Sequence, residues 1–183
     1  MEPKTARLLA AGLALLAVIF GIVAAATNGW MRYSASGLVG TFGLTGSVVC
    51  VDSGSSGNSV CTSSKYTSDY SKKSSADAAL AFTILGVLSS SGVFSGVLVH
   101  VMECSSRFIG VTFGLSIFGF LCCLLAVFIF PLTVGKDLCS TVESLPGVSC
   151  SVDYAFYLEI VATLCLAAAA YLIKTSSADY KSL

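Results

Sequence analysis

The sequence predicts an all-α transmembrane four-helix bundle that carries a small extracellular antiparallel β-sheet. Three observations carry that expectation. Four apolar stretches are each long enough to cross a hydrocarbon core of about 30 Å at ~1.5 Å per helical residue. Two polar stretches between them each hold one pair of cysteines. Finally, only 11% of the 183 residues are charged against 55% hydrophobic, where a soluble domain carries roughly 25% charge. Ten basic and ten acidic side chains give a formal net charge of zero, which offers no electrostatic footprint for nucleic acid.

Taken in order, the spans fall at residues 8–27, 78–101, 108–130 and 155–173 of a single four-span membrane domain, 1–183. The first follows Lys4 and Arg7 and ends in Ala24-Ala25-Ala26, as a secretory signal would. Its apolar run exceeds the usual signal core of about 7 to 15 residues, so it is expected to stay as a span. Residues 28–77 form a large Ser- and Gly-rich loop, Met102 to Arg107 a short turn, and residues 131–154 a second loop. Pro131 marks the end of the third span.

Basic residues are divided evenly, with Lys4, Arg7, Arg107, Lys174 and Lys181 on the side of the termini and Arg32, Lys65, Lys72, Lys73 and Lys136 on the side of the large loops. Orientation therefore rests on cysteine. Cys50, Cys61, Cys139 and Cys150 all lie in the two larger loops, and an even set of loop cysteines belongs in an oxidising compartment. Both termini are then cytoplasmic, with the plasma membrane as the expected location and an organellar membrane as the alternative.

Cys50 and Cys61 enclose ten residues, as do Cys139 and Cys150. Four cysteines allow three connectivities. Pairing within each loop closes the shortest circuits, each constraining the unfolded chain by roughly 3 kcal/mol, and is preferred. Cys122 and Cys123 read as small hydrophobes, and Cys104, at the end of the second span, is a candidate palmitoylation site. In the first loop, Thr41 to Val48 alternates small or polar with mostly apolar residues, the period of a strand. Phe42, Leu44, Val48 and Cys50 would share its covered face, with a Gly/Ser turn at Gly54 to Asn58 leading back to Cys61. Pro146-Gly147 is the turn signal of a similar device in the second loop.

These residues carry a resemblance. Trp30, then Gly43-Leu44, then Cys50 and Cys61 resemble the first-loop signature of the claudin and peripheral myelin protein superfamily, and the loop lengths are similar to those of that family. Thr45 stands where family members carry a second Trp, and claudins lack a pair such as Cys139 and Cys150. The resemblance is to a divergent, claudin-like four-span member, and protist four-span surface proteins have a similar composition. It implies a protein that polymerises laterally, seals or perforates paracellular space, mediates adhesion, or accompanies ion channels.

Within the spans, Gly92 and Gly96 and, on the next, Gly110 and Gly114 are pairs four apart, spacing that lets helices approach closely. The two pairs are expected to face each other. Ser89, Ser90 and Ser91 can bond across helices or back to their own carbonyls. Glu159 lies about five residues inside its span, where a buried charge costs at least ~2.5 kcal/mol at mid-membrane. It reads as an interfacial carboxyl, neutral or hydrogen-bonded to a hydroxyl. His100 reads likewise as interfacial, and Trp30, Tyr33, Tyr154 and Tyr157 as an aromatic belt.

Enzymatic templates fail: the one His leaves no Ser/His/Asp arrangement near the loop acids, and there is no phosphate loop, HExxH, CxxC or glycosylation sequon. The expectation is a non-enzymatic membrane protein without cofactor or metal, with no small-molecule substrate and no nucleic acid partner. It would assemble with itself or other membrane proteins, laterally or across cell contacts. The alternatives are an accessory subunit of a larger membrane complex, such as a channel or an organellar assembly, and a small pore.

Overall fold

The computed structural model describes residues 3–35, 37–52, 59–67, 70–102, 109–144 and 147–178. Among them, four helices are long and apolar enough to cross a membrane, as in a multi-pass membrane protein. Helix α1 is Pro3–Ala26, α2 Lys73–Val101, and α3 Ile109–Ile129. A π-helical turn, Phe130–Gly135, leads from α3 into α4, Lys136–Glu143, and α5 is Tyr154–Ala178. Cys104, the proposed hairpin tip at Gly54 to Asn58 and Pro146 lie outside the described residues.

The third span departs from the sequence reading. It was expected to stop at Pro131, yet the helical path continues from Ile109 to Glu143, so the first part of the second loop is helical. Proline removes a backbone donor and its ring crowds the carbonyl one turn earlier. A π-helical turn widens the backbone at that point and accommodates the ring without ending the helix. The Thr133 hydroxyl donates to the Ile129 carbonyl one turn earlier.

The chain divides into two compact units. The first comprises Met1–Ile22, Phe82–Leu124 and Glu159–Leu183. Here α1 turns an alanine stripe inward, with Ala6, Ala10, Ala14 and Ala17 buried, while Leu8, Leu9, Leu15, Leu16 and Ile19 are exposed. Small inside and large outside inverts the soluble pattern. Lipid tails solvate leucine as well as a protein interior does, so small residues serve close helix approach and large ones face the acyl chains. Ala10 and Ala14 pack with Val93 and Val97 of α2 and Ala169 and Ile173 of α5, and Ala17 packs with Ala162 and Leu166 of α5. Ser116 of α3 donates across to the Leu166 carbonyl of α5 at 2.9 Å. The serine run bonds backwards, Ser89, Ser90 and Ser91 each donating to the carbonyl four residues earlier.

The glycine pairs do not face each other. A side chain at Gly92 would meet Leu115 and one at Gly96 would collide with Thr112, but at Gly110 and Gly114 it would meet nothing. The close approach of α2 to α3 runs through Gly96 against Thr112, Gly86 against Cys123 and Gly119 against Ser89. Periodicity alone could not choose among these, because every fourth or third residue of either helix shares a face. Gly119→Leu is therefore expected to destabilise the bundle by about 1–3 kcal/mol through overpacking. Gly114→Leu should stay within roughly 0.5 kcal/mol of wild type. Detergent-denaturation midpoints of the two variants check this, and equal losses would contradict the assignment.

The second unit comprises Val23–Ala81 and Leu125–Leu158. It contains a five-stranded antiparallel sheet in the order β4-β3-β2-β1-β5, with β1 Met31–Ala35, β2 Leu38–Phe42, β3 Gly46–Asp52, β4 Ser59–Lys65 and β5 Ser149–Val152. The first four strands form a meander, and β5 adds to the free edge of β1 with Met31 opposite Val152 and Tyr33 opposite Cys150. The second loop thus contributes one strand to a common sheet, in place of a matching hairpin of its own. Thr41 to Val48 is not one strand either: it crosses a tight turn in which the Gly43 amide donates to the Gly46 carbonyl at 2.8 Å. The alternation that suggested a strand runs through that turn. Gly37, at φ +77°, supplies the left-handed backbone for the turn between β1 and β2.

Candidate functional site

Trp30 is the centre of the second unit. It is fully buried, with its ring 5.1 Å from that of Phe130 and 6.3 Å from that of Phe156. Its indole N–H donates to the Ala24 carbonyl at 2.7 Å. The last four carbonyls of a helix lack partners within it, so the indole acts as a C-terminal cap for α1. The backbone completes the lock: the Trp30 amide donates to the Phe42 carbonyl at 2.9 Å, and the Trp30 carbonyl accepts from the Asp153 amide at 3.0 Å. One residue thereby ties α1, β2 and the start of α5 together.

The other signature residues serve the same core. Leu44 is buried, and a side chain at Gly43 would run into the backbone of Asn28. The Gly43 carbonyl accepts from the Tyr66 hydroxyl at 3.0 Å. Tyr33 and Phe42 stack at 5.2 Å, both buried, and the Tyr33 ring covers Gly40 on the facing strand, as an aromatic does when it shields a glycine in a sheet. Trp30 and Tyr33 are therefore core residues, not a belt; Tyr154 and Tyr157 are exposed.

The disulfides are Cys50–Cys61 and Cys139–Cys150. The first joins directly opposed positions of β3 and β4, with Cα atoms 4.0 Å apart. Cys50 is half-buried and Cys61 exposed, so the pair does not lie on a covered face as expected; β4 is exposed along its whole length. The second joins a helix to a strand, Cys139 of α4 to Cys150 of β5, with Cα atoms 5.7 Å apart. No residue of α4 is buried, so this bond and the junction with α3 hold it.

A third tie to α4 is polar. The Tyr70 hydroxyl donates to Asp137 at 3.4 Å, and Tyr70 stacks on Tyr66 at 5.1 Å. Burial, then the Asp137 charge and hydrogen bond, push the Tyr70 hydroxyl up to about 12. Burial, then Tyr70, raise Tyr66. A tyrosine raised above its ordinary value near 10 contributes stability fully present below pH ~10 and lost as pH rises through the folded value. Phenolate absorbance should accordingly show Tyr70 ionising after the exposed tyrosines. Asp137→Asn should bring it down, and a variant titration unchanged from wild type would contradict the contact.

Glu159 of α5, in the first unit, is fully buried within the protein. Neither of its carboxyl oxygens meets a hydroxyl donor, and its polar neighbour is the Cys123 thiol. Sequence reasoning missed that neighbour, because nothing in the spacing relates residues on α3 and α5. Among the described residues no group of three His, Cys, Asp or Glu side chains is arranged to hold a metal ion. No protein-family model matches this chain, and no curated protein matches it in sequence.

Proposed function

We propose that the protein is a non-enzymatic, claudin-like component of a surface membrane that assembles through its disulfide-stapled sheet, laterally or across cell contacts. The observation that carries this reading is β4: an outer strand, exposed throughout, paired with β3 at seven positions and stapled to it by the Cys50–Cys61 bond. An edge strand presents a row of unpaired backbone donors and acceptors, which is a template for pairing with another chain. Its side chains are mostly small and polar, with Val60 exposed on β4 and Val51 exposed opposite it on β3. Trp30, Gly43 and Leu44 at the core of the same unit support the family likeness. In this reading the sheet is extracellular, in the oxidising compartment its disulfides need, and both termini are cytoplasmic.

A second reading is favoured by the open face of α3. A side chain at Gly110 or Gly114 would meet nothing within 4 Å among the described residues, and small-residue faces are where membrane helices accept a partner. An accessory subunit of a larger membrane complex would use that face for an unlike chain.

Intact cells treated with a membrane-impermeant amine cross-linker, which reaches the exposed Lys65 of β4, separate the readings. Bands at multiples of one chain that vanish on Lys65→Gln are the expected result. Bands containing an unlike chain favour the subunit. Labelling of Lys65 only after permeabilisation would overturn the orientation, and a labelled but strictly monomeric chain would overturn both readings.

A further inference from the structure

One end of the helical unit carries a site that the assembly role does not use. Arg7 lies four residues into α1, His100 one residue from the end of α2, Thr112 three residues into α3, and Ser176 two residues from the end of α5. All four stand within about one turn of a helix end, on the side from which α1 begins. Together with Gly96, Val97, Ile109 and Ile173 they line a small cavity of about 10 Å³, room for one water-sized group.

The chemistry of the lining is cationic. Arg7 is always charged, the His100 imidazole adds further ring nitrogens, and none of the lining residues is acidic. The Arg7 Nε is shielded from solvent and donates to no acceptor among the described residues. A shielded guanidinium N–H without an acceptor is costly, and an oxyanion is the group that its planar fork fits best.

We propose that this cavity seats a phosphate oxygen of an anionic phospholipid headgroup on Arg7, with His100 beside it. Depth and wall chemistry favour a lipid as the source over free phosphate. Helix ends one turn from the hydrocarbon boundary lie at the level of lipid phosphates. Val97, Ile109 and Ile173 surround the cavity with apolar side chains, which suit a phosphate oxygen carried on a lipid better than an inorganic phosphate that keeps its hydration shell.

The test counts lipids retained by the full chain. Protein in detergent micelles doped with equal amounts of phosphatidylglycerol and phosphatidylcholine of identical acyl chains is examined by native mass spectrometry. Wild type should retain phosphatidylglycerol in preference. Arg7→Gln should lose that preference by roughly tenfold or more, the size of a charge-assisted hydrogen bond. Arg7→Lys should keep part of it, since it keeps the charge and loses the fork. Lys4→Gln, which removes an exposed charge at the same helix end, should keep it in full. Equal retention of the two lipids by wild type would overturn the proposal even if Arg7→Gln failed to fold. A loss in Lys4→Gln as large as in Arg7→Gln would also overturn it, because attraction would then be a matter of general charge. A rise in melting temperature with inorganic phosphate alone that matches the rise with phosphatidylglycerol would assign the site to free anions and overturn the lipid source.

Discussion

Trp30→Ala is expected to be the most damaging single substitution in the sheet-bearing unit. Emptying a buried tryptophan site typically costs about 3–5 kcal/mol through lost transfer energy and the cavity left behind. Here it also strands the Ala24 carbonyl that the indole caps, and a buried polar group without a partner costs about 1–3 kcal/mol more. Trp30→Phe separates the two terms: it keeps a ring for Phe130 and Phe156 while losing the donor, and should cost about 1–3 kcal/mol. Denaturation from mild detergent into dodecyl sulfate measures both. Because Trp30 is the only tryptophan, wild-type fluorescence reports on this site alone, and its emission should be blue-shifted until the unit opens. A Trp30→Ala loss below about 1 kcal/mol would mean that the cap and the aromatic cluster do not hold the unit together.

The residues show which physical signals are local and which are not. Apolar length identified the helices because the cost of leaving backbone groups unpaired in lipid makes long apolar runs helical wherever they fall. Cysteine spacing pointed to the within-loop bonds because loop closure depends on sequence separation. The helical continuation beyond α3 was missed for the opposite reason: Pro131 is a strong local stop, and the π-helical turn that carries the helical path past it into α4 is announced by no residue type. The placement of β5 beside β1 pairs residues more than a hundred positions apart, and no periodicity encodes such a partner. Helix faces were the hardest to read. Of the two glycine pairs, Gly92 and Gly96 pack on α3 whereas Gly110 and Gly114 meet nothing among the described residues, and the other faces that pack are the alanine stripe of α1 and the contacts at Gly86 and Gly119. Small residues permit close approach without specifying against what.

The two disulfides should cost alike when the whole chain unfolds and differ in what they hold in the folded state. Both span the same sequence separation of 11, so removing either by a double Cys→Ser change relaxes the unfolded ensemble by a similar amount, about 3 kcal/mol. Folded, Cys50–Cys61 is one of seven opposed pairs between β3 and β4. That ladder keeps the strands in register without it. Cys139–Cys150 has no such support on the helical side: α4 is eight residues long and buries none of them, and a helix of that length is marginal in water on its own. Apart from its junction with the helix before it, the Tyr70–Asp137 hydrogen bond is the polar contact that ties α4 to another element among the described residues. Hydrogen exchange on the folded protein should therefore show α4 amides losing protection in the Cys139→Ser/Cys150→Ser variant. The β4 amides that face β3 should stay protected in Cys50→Ser/Cys61→Ser. Protection of α4 equal to wild type would show that the junction with α3 suffices to hold it. Global losses differing by more than about 1 kcal/mol would show that native-state restraint, and not the entropy of equal loops, sets the cost.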